Sequence, residues 1–514
     1  MKKALFSRMT LGLGLAVLLC LSVVAAACGD DDGDPSATGP EGTTGSGAGS
    51  GAGGVGDGDS GASLDEIEGQ IIQVGELQPA PSGAPVSGWE TEWSQLIGAN
   101  LIAQLDSSGD PAWSAADHPL VYVSAEGPGY GSSSFGGAFL SSAQVGPGIA
   151  IIDADTHEAV ATTQYLVEGV ETYSENHGAT VSADGKWIYT QGTNLASDLR
   201  GNGVLHVINA ETLKIDKIIR SRVHHAKVIH NSFTDKDLVL IEGWGTFFAM
   251  DPSDDNRIVG AVDPADLRGS GYLAFGDPSG KWLLVSTRTG FRESDGGIAV
   301  VSLEDWKVKA RINTHDGSPI WVAFDAAGEN AYVSDGHESK IAQIDMSAEN
   351  PSEWRVVGMA NAGAIGPYGL TFNWDDTVLY AFGKGEASHN QGKTVGFTSP
   401  DLFVEPDQYR GWGTTMGQIV SNCLRQDHAI VHPDPDKNEM WISCNSSFDN
   451  VIIDMATNTV KAVVPQPNGG SSHNGSFVRY TPDFEGELLS DQNGLHGSAL
   501  AEKLSMMGVS VAAR

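Results

Sequence analysis

Positive charge is scarce in this chain. It holds 30 lysines and arginines against 65 aspartates and glutamates, a formal charge of -35. So acidic a surface excludes nucleic acid as a partner, because phosphate backbones need a basic face. A small anionic substrate would have to be drawn in by local cations. Cysteine is scarcer still, four in 514 residues, and no Cys-x-x-Cys-His occurs, which excludes covalent c-type haem. Gly-x-Ser-x-Gly, a phosphate loop and His-Glu-x-x-His are also absent, and with them the usual hydrolase, nucleotide-binding and metalloprotease signatures. Beyond the amino end, no apolar run reaches the ~20 residues of a membrane span.

What is present begins with Met1-Lys2-Lys3, Arg8 and an apolar run from Leu11 to Ala27, the zones of a secretory signal over residues 1–27. Ala25-Ala26-Ala27-Cys28 resembles a bacterial lipobox, which implies lipidation of Cys28 and an exported protein, periplasmic or at the cell surface, held to its membrane by lipid alone. Residues 28–63 are Gly, Ser, Asp and Thr with almost nothing apolar, and read as a flexible tether. Residues 64–118 read as an amino-terminal extension with an amphipathic helix expected from Glu90 to Leu105. The main domain spans 119–490, and 491–514 is a tail. Cys423 and Cys444 remain once Cys20 leaves with the signal and Cys28 is lipidated. Oxidation to a disulfide is expected in an exported compartment, with copper ligation by one of them as the alternative.

After Pro119 the chain becomes short, alternating, β-branched segments separated by Gly, Asp, Asn and Pro. Two hairpin units recur. One is seen in Gly148-Ile-Ala-Ile-Ile-Asp, Gly203-Val-Leu-His-Val-Ile-Asn, Gly297-Ile-Ala-Val-Val-Ser and Asn450-Val-Ile-Ile-Asp-Met. Its partner, with a turn at Asp-Gly or an equivalent, is seen from Thr180, Leu273, Val322 and Leu370. Two hairpins make a four-stranded blade, and repeated blades make an all-β propeller. Innermost strands are expected to start near His177, His225, Ser270, Pro319, Tyr368 and His428. A strand from His473 to Tyr480 is left without a following hairpin, and the first blade lacks an inner strand. About seven blades are therefore expected, with the carboxy-terminal strand closing the ring. Asn450 to Val464 resembles the YVTN family of bacterial propellers, a likeness of fold that says little about chemistry.

Inner strands line the channel of a propeller, so equivalent starts ring one mouth. His177, His225, His428 and His473 fall at such starts, with His224 adjacent, in a chain of only 14 histidines. Several neutral imidazoles around one small space suit copper, and Glu175 and Asp427 stand where they could orient ring N–H groups. The alternative is a polar, hydrated channel in which each histidine bonds water.

These histidines, with the pair His224-His225, resemble those of the copper propellers of nitrous oxide reductase and thiocyanate dehydrogenase. That resemblance implies copper ligation by His177, His224, His225, His428 and His473, with His315 and His389 as further ligands, and a small inorganic substrate. Arg222 and Arg425, before two of the histidine strands, resemble the channel arginines of d-type nitrite reductase, which implies a grip on a haem carboxylate or small anion. The expectation is a copper oxidoreductase acting on a small molecule, with Glu175 or Asp427 moving protons and a periplasmic electron carrier as partner. The rival class is a non-catalytic binding propeller.

Overall fold

The computed structural model describes residues 71–73, 101–105, 119–126, 148–162, 164–167, 178–192, 204–213, 215–220, 225–243, 246–267, 270–288, 296–314, 317–385, 393–411, 413–467 and 471–509. The signal, the tether, Cys28, Glu175, His177, Arg222, His224, His315 and His389 lie outside them.

The alternating segments form seven sheets, each opened by an inner strand: β1 (Ala179–Val181), β2 (His225–Asn231), β3 (Ser270–Gly276), β4 (Pro319–Phe324), β5 (Pro367–Phe372), β6 (Gln426–Val431) and β7 (Ser471–Tyr480). Six of the sheets are four-stranded and run outward in chain order from their inner strand, so the architecture is a seven-bladed β-propeller. The seventh is built from both ends of the domain. β7 pairs antiparallel with Leu120–Glu126, followed outward by Gly148–Asp153 and Ala159–Thr162. This is the closure expected from the missing inner strand, and it leaves neither chain end as an open edge.

Two expectations need correction. The strand at His473 to Tyr480 is not the last: Gly486–Asp491 (β8) pairs with the free edge of β7, and Gly494–Leu495 pairs with β8. Gly486-Glu-Leu-Leu-Ser-Asp lacks a clean apolar–polar alternation and falls outside the blade repeat. The helix expected from Glu90 to Leu105 fails over its last turn, since Leu101–Leu105 is a strand between Ile71–Gln73 and Gln164–Val167. There cross-strand hydrogen bonds replace the helical ones.

The core lies between neighbouring sheets. Ile188, Tyr189, Val207 and Ile208 of the first full blade pack with Val228, Val239 and Ile241 of the next and with Val478 and Tyr480 of the closing strand. Each such fully buried aliphatic side chain contributes ~1.5–3 kcal/mol. Among the described residues no helix is long and apolar enough to cross a membrane.

Candidate metal centre

The site begins with an irregularity repeated along the inner strands. Pairing with the second strand shifts register between Gly271 and Ala274, Pro319 and Val322, Pro367 and Leu370, and Gln426 and Ala429. Residues inside such a shift drop out of the ladder and can be re-aimed. The positions hold Tyr272, Trp321, Tyr368 and the pair Asp427-His428, all buried. They meet one another: the hydroxyls of Tyr272 and Tyr368 lie 2.8 Å apart, and Trp321 stacks on His428 at 5.2 Å and 18°. Gly369 permits this approach, because a Cβ there would lie 2.7 Å from the Cα of His428.

Three imidazoles from three blades converge. The His428 and His473 rings are 5.8 Å apart, and His225 stands 6.3 Å from each. Ligand atoms of Asp427, His428 and His473 lie within 4.8 Å of one another. All four residues are buried to 1% exposure or less. Asp427 links two partners, with Oδ1 3.2 Å from Lys384 Nζ and Oδ2 3.2 Å from His473 Nδ1. The Lys384 ammonium also sits 3.8 Å above the Tyr368 ring, a cation–π contact in a desolvated place. On the other side of His473, Nε2 accepts from the Asn445 amide, which places the ring proton on Nδ1, toward Asp427.

Of the expected residues, the structure brings His225, His428, His473 and Asp427 together. Arg425 is half-buried at the entry to β6 with φ of 53°, and its carbonyl accepts from Asn445 N at 3.2 Å. Cys423 and Cys444 are joined by a disulfide with Cα atoms 5.2 Å apart, so neither is a copper ligand. The bridge ties the segment entering β6 to the strand end that carries Asn445. Tyr368 was expected at the start of an inner strand, whereas Lys384, Asn445 and Trp321 were not anticipated. Of these only Lys384 carries a signal, a cation just past a fully apolar strand in a chain poor in lysine.

No family model matches the chain, and no curated protein matches it in sequence. Several solved structures are similar. A periplasmic gluconolactonase of Pseudomonas aeruginosa is 13% identical with a TM-score of 0.47, covering 69% of this chain and 97% of that one. The hydrazine synthase of Kuenenia stuttgartiensis is 14% identical with a TM-score of 0.47, covering 60% and 90%. The dihydro-heme d1 dehydrogenase NirN is 13% identical with a TM-score of 0.43, covering 83% and 76%. At such identities the chemistry of these proteins does not transfer. The blade assignment rests on this chain's own strand pairing.

The donor set can be tested against a metal. An ion ~2 Å from one nitrogen of each of three trigonally arranged rings sets centroids about 5.5 Å apart. The observed sides of 5.8 and 6.3 Å are wider by under ~1 Å, within reach of small side-chain rotations. Asp427 adds a carboxylate beside them, and Lys384 balances its charge.

Proposed function

We propose that this chain is an exported, lipid-anchored propeller that binds copper through His225, His428 and His473 and performs redox chemistry on a small molecule. The observation that carries the reading is the gathering of donor atoms of Asp427, His428 and His473 in one buried space, with the His225 ring from β2 6.3 Å from both imidazoles. Bound copper would supply one-electron transfer and polarise a coordinated substrate. The chain's own residues supply the rest. His473 would free Nδ1 for the ion by moving its one ring proton from Nδ1 to Nε2, while Asp427, held by Lys384, would offer a carboxylate oxygen beside that nitrogen. Asn445 turns its amide oxygen to accept the proton that moves to Nε2. Trp321 fixes the plane of His428 while leaving its ring edge open to the ion.

His224, His177, His315 and His389 are proposed as further ligands, Glu175 as a second proton carrier, and Arg222 and Arg425 as the cations that attract an anionic substrate.

Metal analysis of protein purified from the exported fraction tests the reading. Copper is expected in the native chain, and a combined His225→Ala, His428→Ala, His473→Ala variant is expected to lose it together with the copper absorption and spin-resonance signals. Zinc in its place would overturn the redox assignment. No metal in the native chain would leave His473, Asp427 and Asn445 as a structural polar network, which their mutual contacts also suit.

A further inference from the structure

The chain's last elements lie across the carboxy-terminal ends of four inner strands. After β8, residues 492–496 turn into the helix α1 (Gly497–Met507), and the turn and helix face the ends of β3, β4, β5 and β6 across a cavity of about 160 Å³.

Polar contacts hold this cover at both of its ends. Asp491, 2% exposed, accepts from Thr180 Oγ1 at 3.1 Å and from Val228 N at 2.7 Å, so its carboxylate is fixed to two inner strands. Asn493 Oδ1 accepts from Gly276 N at 3.0 Å, and its Nδ2 donates to Gly276 O at 3.3 Å. Further along the helix, Lys503 pairs with Asp376 at 2.5 Å and donates to Asn373 O at 3.1 Å.

His496 joins the fixed turn to the helix. It holds the N-cap position of α1 without a side-chain bond to the helix, and its Nε2 instead meets Asp491 Oδ1 at 2.7 Å. Gly494 and Gly497, with φ of 118° and 50°, stand on either side of it and supply hinge points. A protonated imidazole makes this bond charge-assisted, and roughly twice as strong as a neutral one.

The groups around His496 favour the proton. Asp491 faces it from β8, and Asp237 acts on it from the strand Lys236–Gly243, itself bonded to His230 at 3.0 Å. Around the shared cavity, Asp277 and Asp325 accept hydrogen bonds within their own turns, and Lys503 is matched by Asp376. Burial by itself lowers the His496 pKa, but Asp491, through its charge and its hydrogen bond, and Asp237 outweigh it and hold the imidazole above its ordinary value.

We infer that α1 is a pH-governed cover: protonated His496 pins the start of the helix to Asp491, and loss of that proton frees the helix to swing on Gly494 and Gly497 away from the inner-strand ends. Because the docked pKa lies above the ordinary one, docking has its full support below pH ~6.5 and loses it as pH rises through the docked value. Asp491 keeps its bonds to Thr180 and Val228 in either state, so the movement is confined to the helix.

Hydrogen exchange of the full chain, read by mass spectrometry from pH ~5.5 to ~9 and corrected for the intrinsic effect of pH, tests the cover. Peptides spanning residues 497–507 are expected to exchange ~5-fold or more faster at the upper end of the range, while peptides from β1 and β2 stay protected throughout. His496→Gln keeps a neutral donor for Asp491 and is expected to show the faster rate at every pH. Asp237→Asn removes one of the carboxylates that favour the proton and is expected to move the midpoint to lower pH. Equal protection of the helix across the range in the native chain overturns the inference, as does a pH dependence that persists in His496→Gln. If that variant does not fold, Asp237→Asn decides, and an unmoved midpoint then overturns it.

Discussion

His432 follows His428 by four residues on the same strand path, yet its chemistry is different. It is 1% exposed, its ring meets Phe477 edge-on at 5.1 Å, and its Nδ1 accepts from Asp434 N at 3.1 Å. Burial holds its pKa down to about 4, although Glu439 and Asp434 pull the other way. In the unfolded chain the same imidazole titrates near 6.5. As pH falls, the unfolded state therefore takes up the proton first, so this residue's contribution is complete above pH ~6.5 and is lost between there and about 4. From pH 7 to pH 5 the loss is ~2 kcal/mol. His432→Asn keeps an acceptor for Asp434 N and removes the titration, so urea midpoints at the two pH values should draw closer in the variant. An equal pH dependence in both proteins would contradict the assignment. The contrast with His428 comes down to neighbours: His428 stands among other imidazoles and stacks on Trp321, whereas His432 packs against Phe477 with the carboxylates of Asp434 and Glu439 nearby.

Between elements, blades are joined by polar groups as well as by apolar packing. Lys227 on β2 pairs at 2.8 Å with Glu242 on the adjacent strand, both fully buried, and Glu242 Oε2 accepts from Ala274 N on β3 at 2.6 Å. The Lys227 ammonium also lies 3.5 Å above Phe275 of β3. Burial pushes the lysine pKa down and the glutamate pKa up, and their mutual contact opposes both shifts. Removing one partner leaves an uncompensated buried charge, so Lys227→Met should cost ~3–5 kcal/mol in chemical denaturation. Lys227→Met with Glu242→Gln should recover most of that loss. A double variant no more stable than the single one would show that the cost comes from packing alone. The Cys423–Cys444 bridge acts on the element beside the metal centre, and closing a loop of that length restricts the unfolded chain by ~3 kcal/mol.

At the scale of the whole molecule, the ring closes by a single strand. β7 supplies the inner position of the blade begun by Leu120–Glu126, also receives β8, and carries His473 into the cluster. Ending the chain at Gly470 removes all three contributions and exposes Leu120–Glu126 as an unpaired edge. That truncation should fail to fold cooperatively and should associate, as read by circular dichroism and sedimentation. A chain ending at Gly508, which retains the helix Gly497–Met507, should behave as the full protein does. A stable monomer from the shorter chain would mean that six blades suffice.

The repeated hairpins, the absence of an inner strand before Leu120 and the surplus strand near the carboxy end were properties of the sequence, because alternation and turn chemistry are local and blade closure follows from counting. The starts of the inner strands were legible to within two residues: His225, Ser270 and Pro319 begin theirs, and Ala179, Pro367 and Gln426 lie one or two positions from the residues expected. The register also brought His225, His428 and His473 to one end of the channel, since equivalent strand positions are related by the blade repeat. Which side chains then surround them was decided by tertiary structure. Lys384 reaches Asp427 from another blade, Asn445 reaches His473 from the disulfide-bonded strand end, and Trp321 reaches His428 through a register shift that recurs between blades but leaves no mark in the hydrophobic alternation. The carboxy-terminal segment is likewise placed by tertiary structure: Gly486–Asp491 and the helix Gly497–Met507 lie outside the repeat, and only their docking brings Asp491 to Thr180 Oγ1 and Val228 N on two inner strands.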